Sequence, residues 1–524
     1  MGKKLQLVQN KLTLIISLIF ITSILIIILC SLFCGQYVRV SIFASNSVFV
    51  LLSGLLLVIG ILFLAHRFFK RREFMPKQEM FFLATIFGVL LVFEYFIAKY
   101  LSVHYSWDPN EVYWGIKGLL EDGRLGNSAY FDKYPFQIIL AHAGCFFVKV
   151  VWKINSSVSI QACLVMLNIL AINASMLLVY LINRKIFGAR KAFFALFLSC
   201  AFTPLLLYIP IFYTDTMSMP FLLLCVLCYL TVIDDKHAAK ELKLIAIIIF
   251  ATSMFFATAF KATSTILFVA ILIHTLLNLH KRGVKNFIKY IIAFIIVFAP
   301  LRVSFSYIKS LETDSTKAIP ITHWLAMGAE YQKENEPIYN PYRVGGYDGE
   351  DVNETLRAIE NGQDASAMNL EKVKDRYGSR TIIENLSFFA QKIAATWSDG
   401  TYNISEQLGK SPFWSQGILF KIVGVNEENK GSAVYLLFSH SLQTAMFIVL
   451  LVGCILTRHE KDISLVFKLC LIGIFIFLLF WETTSRYLLS FLPIFITLFN
   501  YSINAICEKI DKEKFSLLKI KRYL

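Results

Sequence analysis

The chain has 524 residues, and 57% of them are hydrophobic, against roughly 45–50% in a soluble domain. The formal net charge is +15, but Lys and Arg gather in short loops between apolar runs. That is the positive-inside pattern of a membrane protein rather than a nucleic-acid patch, so a soluble enzyme and a nucleic-acid partner are both excluded.

The ten cysteines lie almost entirely in apolar runs, and segment 304–433 has none, which excludes an ectodomain built on disulfides. Cys225 and Cys228 form a CxxC inside an apolar run, where two small apolar residues are the simpler reading than a redox or metal pair.

In chain order, apolar runs fall near 12–34, 46–66, 79–100, 134–152, 159–182, 191–212, 216–233, 243–260, 263–279, 286–303, 434–456, 464–482 and 486–505. Each approaches the ~20 residues that cross about 30 Å of hydrocarbon, and helices satisfy their own backbone in lipid. The fold class expected is an all-α polytopic membrane protein of about 12–13 transmembrane helices with a small extracytoplasmic cap. The first run follows Lys3, Lys4 and Lys11 without a small-residue cleavage site and reads as a retained helix.

Four parts are expected: 1–78, a helix pair with a basic cytoplasmic loop; 79–303, a transmembrane core; 304–433, an extracytoplasmic loop domain; and 434–524, C-terminal helices with a basic tail. Loop 66–77 (Arg67, Lys70, Arg71, Arg72, Lys77), loop 281–289, loop 458–468 and tail 509–522 read as cytoplasmic. Counting outward from them puts 101–133 and 304–433 on the outer face. Loop 183–191, with Arg184, Lys185, Arg190 and Lys191, conflicts. It too looks cytoplasmic, yet it lands outside if 134–152 and 159–182 both cross. Either 134–152 dips and returns, or the charge rule fails there.

Loop 101–133 opens with SWDPNEVYWGIKGLLEDG, residues 106–123. Trp107, Val112, Tyr113, Ile116, Leu119 and Leu120 recur at helical spacing after Pro109, which suits a first turn, so a helix lying along the interface, apolar side down, is predicted. Asp108 then reads as its N-cap with Glu111 closing a capping box, or as a catalytic carboxylate held at the membrane surface; a cap is also a rigid mount. At YFDKYPFQ, residues 130–137, Lys133 and Tyr134 either belong to the interfacial belt or meet a lipid phosphate.

YTDT places Asp215 between two spans, where an acid is costly enough to suggest function. FKATS puts Lys261 at a third outer helix end, and WETTSRYLLSFLP puts Glu482 and Arg486 at a fourth. A positive charge on the outer side goes against the inside bias, and an anionic ligand would supply a reason for Arg486; an i,i+4 pair with Glu482 is the other reading. Carboxylates and cations thus converge at one lipid–water boundary, where the head group of a lipid-linked sugar sits. Its phosphate leaves without an acid but gains charge, so the chemistry needs a base for the acceptor hydroxyl and cations for the phosphate. Mg or Mn held by Asp132 or Asp215 would supplement the cations.

At these residues the chain resembles the GT-C glycosyltransferase superfamily, nearest to bacterial relatives of protein O-mannosyltransferases and of the aminoarabinose transferase that modifies lipid A. The resemblance covers roughly 80–330 and 480–500. It rests on Asp108, on Asp132–Pro135, on the basic turn Arg184–Gly188, on Asp215, and on the Arg-Tyr of 486–487 followed by Leu and Pro. It implies Asp108 as general base, an undecaprenyl-phosphate sugar as donor, and Lys133 and Arg486 as phosphate contacts. The mannosyltransferases carry adjacent Asp-Glu in this loop, whereas here Asp108 is followed by Pro109 and Glu111 comes later.

The expectation is an inverting glycosyltransferase in a bacterial cytoplasmic membrane, acting on its outer face. Its partners would be a polyprenyl-phosphate-linked sugar donor, an external glycan, lipid or protein acceptor, and the bilayer. Asp108 and Glu111 are the catalytic candidates, Lys133, Tyr134, Lys261 and Arg486 the donor-phosphate candidates, and Asp215, His323 and Glu482 the acceptor-cavity candidates, with Asp399 of WSDGTY beside them. A lipid-linked glycan flippase and a polysaccharide polymerase or ligase are the alternatives. Flippases carry charges near the midplane, whereas here they sit at helix ends.

Overall fold

The computed structural model describes residues 2–35, 47–234, 239–279, 284–331, 344–426, 428–460 and 462–523. Within them the chain is all-helical, with two isolated β-bridges, Val103–Pro412 and Tyr331–Val344, as the only extended pairings among the described residues. Ten helices there are long and apolar enough to cross a membrane, and two shorter apolar ones, Ala262–Leu277 and Ser464–Phe480, accompany them.

Side-chain pairs between helices fix which loops share an end of the bundle. Helix Ile160–Phe187 runs antiparallel to helix Pro76–Tyr100 along its whole length. Gln161 Nε2 donates to Val103 O (2.8 Å), Asn173 Nδ2 to Glu94 Oε2 (2.7 Å), and Tyr180 and Arg184 both reach Glu79. Arg190 N donates to Glu73 Oε2 at 3.2 Å, and Asp511 near the chain's end meets His66 and Lys70, each at 2.8 Å. Loops 66–77 and 183–191 and the tail therefore lie together at one basic end.

That resolves the conflict over 134–152. Residues 135–154 are long and apolar enough to span, by length and composition. Yet helix Ile138–Ile154 begins beside Lys133, whose carbonyl accepts Ile319 N–H (3.1 Å), and after it residue 161 is back against Val103. Both its ends are at the end opposite the basic loops, so it does not carry the chain across. Its exposed Phe146, Val150 and Ile154 recur every fourth residue, a single apolar edge suited to an interface.

Helix Trp107–Glu121 packs on helix Ile138–Ile154 rather than lying apolar side down on lipid: its buried Val112, Gly115, Ile116 and Leu119 form one face. The crossing is close because a Cβ at Gly144 would sit 2.5 Å from Ile116 Cδ1. The helix starts at Trp107 with Ser106 as N-cap, so Asp108 lies inside the first turn and is not the cap, and the predicted capping box does not form.

The run 191–212 is not one helix. Helix Ala189–Ala201 stops, and a four-residue helix Pro204–Leu207 follows. Phe202 leaves helical geometry at ψ 78°, and Pro204, which has no N–H to continue the ladder, opens the short helix that follows. Helix Val284–Glu312 continues past the expected boundary at 303, and the last long helix, Leu492–Tyr523, is preceded by a 3-10 helix over Ser485–Phe491.

The large polar segment folds as short helices. Gly349–Glu360 and Ala365–Gly378 are two of them. Asp351, buried between them, binds Lys372 (3.0 Å) and Arg376 (2.7 Å). Helix Ile382–Trp397 then brings Lys392 into the interior, where it donates to Gly328 O. Burial pushes the Lys392 ammonium down to about 7. All ten cysteines are free thiols, Cys225 and Cys228 included.

Candidate active site

Three separate stretches meet at the end opposite the basic loops. The first turn of helix Trp107–Glu121 supplies Asp108. Tyr130 Oη donates to Asp108 Oδ1 at 3.0 Å and Tyr213 Oη to Oδ2 at 2.7 Å. Tyr213 Oη also accepts from Gln137 Nε2 (2.6 Å), so the phenol has a fixed orientation. Burial first, and the Asp108 charge second, push the Tyr130 hydroxyl well above its ordinary range, which keeps it a donor. Among the described residues Asp108 pairs with no cation. It is a carboxylate held by two neutral donors.

Trp107, beside it, has φ of +48°. A bulky side chain in the left-handed region costs about 1–3 kcal/mol and persists only where its surroundings demand it. Here the indole is wedged between Tyr213, edge-on at 5.3 Å, and the Arg486 guanidinium, 4.4 Å above the ring. Trp107 and Tyr213 thus both join the Asp108 carboxylate to the Arg486 cation.

Arg486 lies over Tyr213 as well, at 5.1 Å, and its Nε is 3.8 Å from Asp215 Oδ2. Asp215, 1% exposed, also bonds Lys261, whose ammonium lies 5.0 Å over the Tyr487 ring. Two cations share this one buried anion. Arg486 Nη1 is buried without a hydrogen-bond partner among the described residues. Arg486 therefore pairs with Asp215 across the bundle and not with Glu482, which instead accepts from Tyr487 Oη at 2.6 Å. Helix Ser464–Phe480 ends before Glu482, so the i,i+4 spacing has no helix to act through.

The turn after helix Ile382–Trp397 supports Arg486. Asp399 accepts from Thr401 N (2.9 Å), Asn403 N (2.8 Å) and, across the bundle, Ser485 Oγ (2.6 Å). Gly400 makes this possible: a Cβ there would lie 2.1 Å from Ser439 O. Asp399 is a bracket for the 485–486 backbone and does not line an acceptor surface.

The remaining predicted residues are dispersed. Glu111 faces away to Asn110 and Asn127. Lys133 ends the short helix Ser128–Lys133, one turn after Tyr130. Asp132 accepts Asp314 N–H (2.8 Å) and faces Lys317 (3.7 Å), tying this loop to segment 313–317. His323 is buried and bonds Thr355 Oγ1 at 3.0 Å. Burial drives its imidazole down to about 4.

Neither Asp132 nor Asp215 suits a divalent metal: Asp132 shares Lys317 with Asp314, and Asp215 is engaged by Lys261 and Arg486, so cationic side chains already occupy both. The acidic group compact enough to hold a cation among the described residues is Glu330, Asp348 and Asp351, and Arg376 bridges two of its members. Tyr130, Tyr213, Gln137 and Tyr487 were missed from sequence. Their only signal was adjacency, since each stands within four residues of a charged candidate.

Residues 5–507 match the family described as conserved hypothetical integral membrane protein. The chain belongs to that family. No curated protein matches it. Among solved structures it is similar to the oligosaccharyltransferase AglB from Archaeoglobus fulgidus, in complex with an inhibitory peptide and a dolichol-phosphate, at 13% identity and TM-score 0.41 over 81% of this chain and 51% of that one. The chain thus spans about half the length of that enzyme. It is also similar to ArnT from Cupriavidus metallidurans bound to undecaprenyl phosphate, at 10% identity and TM-score 0.35 over 81% of this chain and 78% of that one. For the apo form of ArnT the values are 11%, 0.34, 80% and 77%.

Proposed function

We propose that the chain is a glycosyltransferase that moves a sugar from a polyprenyl-phosphate carrier to an acceptor outside the cytoplasm, with inversion at the anomeric carbon. The observation that carries this reading is the juxtaposition of Asp108, which pairs with no cation among the described residues, and Arg486, a buried cation whose Nη1 has no hydrogen-bond partner among them, joined through Tyr213 and Trp107. The basic loops sit together at the other end, which by the positive-inside rule supports a site on the outer face of a cell membrane.

In the proposed step Asp108 takes the proton of the acceptor hydroxyl as its oxygen bonds the anomeric carbon. The bond from that carbon to the phosphate oxygen breaks, and the phosphate departs with the electron pair. Arg486, backed by Lys261, meets the charge it gains in a site shielded from water. Tyr130 and Tyr213 hold the carboxylate in its acceptor-facing posture. Glu111 has no part, because its carboxylate is engaged by Asn127.

The test is mass spectrometry of lipid-linked sugars in a strain lacking the protein, complemented with wild type or Asp108→Asn. A monosaccharide-phosphate lipid should accumulate in the deletion and persist with Asp108→Asn at wild-type protein levels. Clearance of that lipid by Asp108→Asn would remove Asp108 from the mechanism. Accumulation of a long lipid-linked oligosaccharide would instead point to a polymerase or a flippase.

A further inference from the structure

A run of aromatic rings leads away from Asp108. Tyr130, which holds Oδ1, lies 5.0 Å from the ring of Tyr134, and Tyr134 lies 6.3 Å from Trp324. Trp324 stacks on Trp481 at 5.8 Å with planes 6° apart, and Trp481 precedes Glu482. Phe136 flanks Trp324 at 6.1 Å and is 44% exposed. Tyr347 is 62% exposed. Burial, then the charges of Asp108 and Glu482, push the Tyr347 hydroxyl up, which sets it on the same mouth.

These rings come from the first loop, the cap and the 481–491 segment, so no single packing need explains why they meet. Two of them remain exposed although they stand beside a mounted carboxylate. In an inverting displacement the base and the acceptor lie on one side of the anomeric carbon and the leaving phosphate on the other. Tyr130 joins Asp108, the base, to the aromatic run, so the acceptor belongs on the aromatic side.

A cluster of mutually tilted aromatic rings edged by phenol hydroxyls and carboxylates fits one acceptor chemistry well. The C–H face of a pyranose lies on the rings, and its hydroxyls donate to the oxygens at the rim. Carboxylates there repel an anionic acceptor group.

We propose that Tyr134, Phe136, Trp324, Trp481 and Tyr347 form a saccharide platform, so that the acceptor is an uncharged sugar unit of a glycan or glycolipid and not a protein hydroxyl. This rests on the transferase reading for the role of the bound sugar, though not for its binding. It also moves Tyr134 from the donor phosphate to the acceptor side.

The platform is tested on the full chain in lipid nanodiscs by saturation-transfer NMR. The probes are methyl glycosides of glucose, galactose, mannose, rhamnose and N-acetylglucosamine, with a Ser/Thr tripeptide alongside. At least one glycoside should receive saturation at its ring C–H groups. Trp324→Ala and Tyr347→Ala should each weaken its apparent affinity by on the order of tenfold, as loss of an aromatic contact of about 1 kcal/mol or more implies. Tyr347 is exposed enough to carry the test if Trp324→Ala fails to fold. Asp108→Asn should leave the glycoside signal in place.

Saturation of the tripeptide alone, no saturation of any glycoside, or an affinity unchanged by Tyr347→Ala would overturn the platform. A glycoside signal that obeys these variants in a protein whose deletion strain accumulates no lipid-linked sugar would sink the transferase and leave the platform standing.

Discussion

Asp215→Asn separates the electrostatic account of the site from a merely structural one. Asp215 is 1% exposed, and both Lys261 and Arg486 depend on it. At 3.8 Å and an effective dielectric of 20, the Arg486 attraction alone is worth about 4 kcal/mol. Breaking a buried pair by removing one partner costs about 3–5 kcal/mol. An amide at 215 retains an acceptor for Lys261, so the lower figure applies. About 3 kcal/mol changes the unfolding equilibrium on the order of 100-fold. The assay is equilibrium unfolding in mixed micelles, with and without undecaprenyl phosphate. Without the lipid the variant should be less stable by about that amount. With it the variant should recover more than wild type gains, because a bound phosphate replaces the missing anion. Pairing the substitution with Lys261→Met should cost less than the sum of the two alone. A variant within about 1 kcal/mol of wild type, or one that the lipid fails to rescue, would refute the idea that two cations share one anion here.

Glu94 is fully buried in helix Pro76–Tyr100, bonded to Asn173, with Oε1 lacking a partner among the described residues. Burying a charge there would be costly, so Glu94→Gln should unfold within about 1 kcal/mol of wild type; a loss of about 3 kcal/mol would show that the acid is ionised and paired. His323 has its folded pKa pushed to about 4 by burial, below an unfolded value of about 6.5, so the unfolded chain binds the extra proton between the two. Its contribution is full above about pH 6.5 and falls away toward pH 4, by up to about 3 kcal/mol. Protection factors of the amides in helix Thr322–Gly328, which take out the intrinsic slowing of exchange at lower pH, should therefore fall from pH 7 to 5 in wild type and not in His323→Gln; an equal fall in both would assign the effect elsewhere. Ser485→Ala removes the tie to Asp399 and should weaken undecaprenyl-phosphate binding several-fold while leaving glycoside saturation unchanged; unaltered lipid affinity would free Arg486 from that bracket.

The helices were legible in the sequence because lipid imposes a simple rule: a run near 20 apolar residues must satisfy its own backbone. The shared basic end was legible in part: Arg184 and Arg190 lie beside Glu79 and Glu73, as the charges of loop 183–191 suggested against the count of spans. What periodicity could not show was that 134–152 serves as a shelf for helix Trp107–Glu121, because an apolar run packed against protein looks the same as one facing lipid. The charged members of the site stood out as polar groups at apolar helix ends. The tyrosines did not, for an interfacial tyrosine is ordinary. The Arg486–Asp215 pairing was equally hidden. The two residues are 271 positions apart in the chain, and nearby Glu482 offered a local partner that the end of helix Ser464–Phe480 removes.

The shelf helix has a wider consequence. Each true crossing inverts the compartment of everything downstream, so counting Ile138–Ile154 as one would put Asp215, Lys261 and Arg486 in a different compartment from Asp108. An impermeant thiol reagent should accordingly label single cysteines placed at 128 and 157 from the same side of a sealed vesicle. One twenty-residue stretch that surfaces where it started decides whether half the protein and its first loop ever share a solvent.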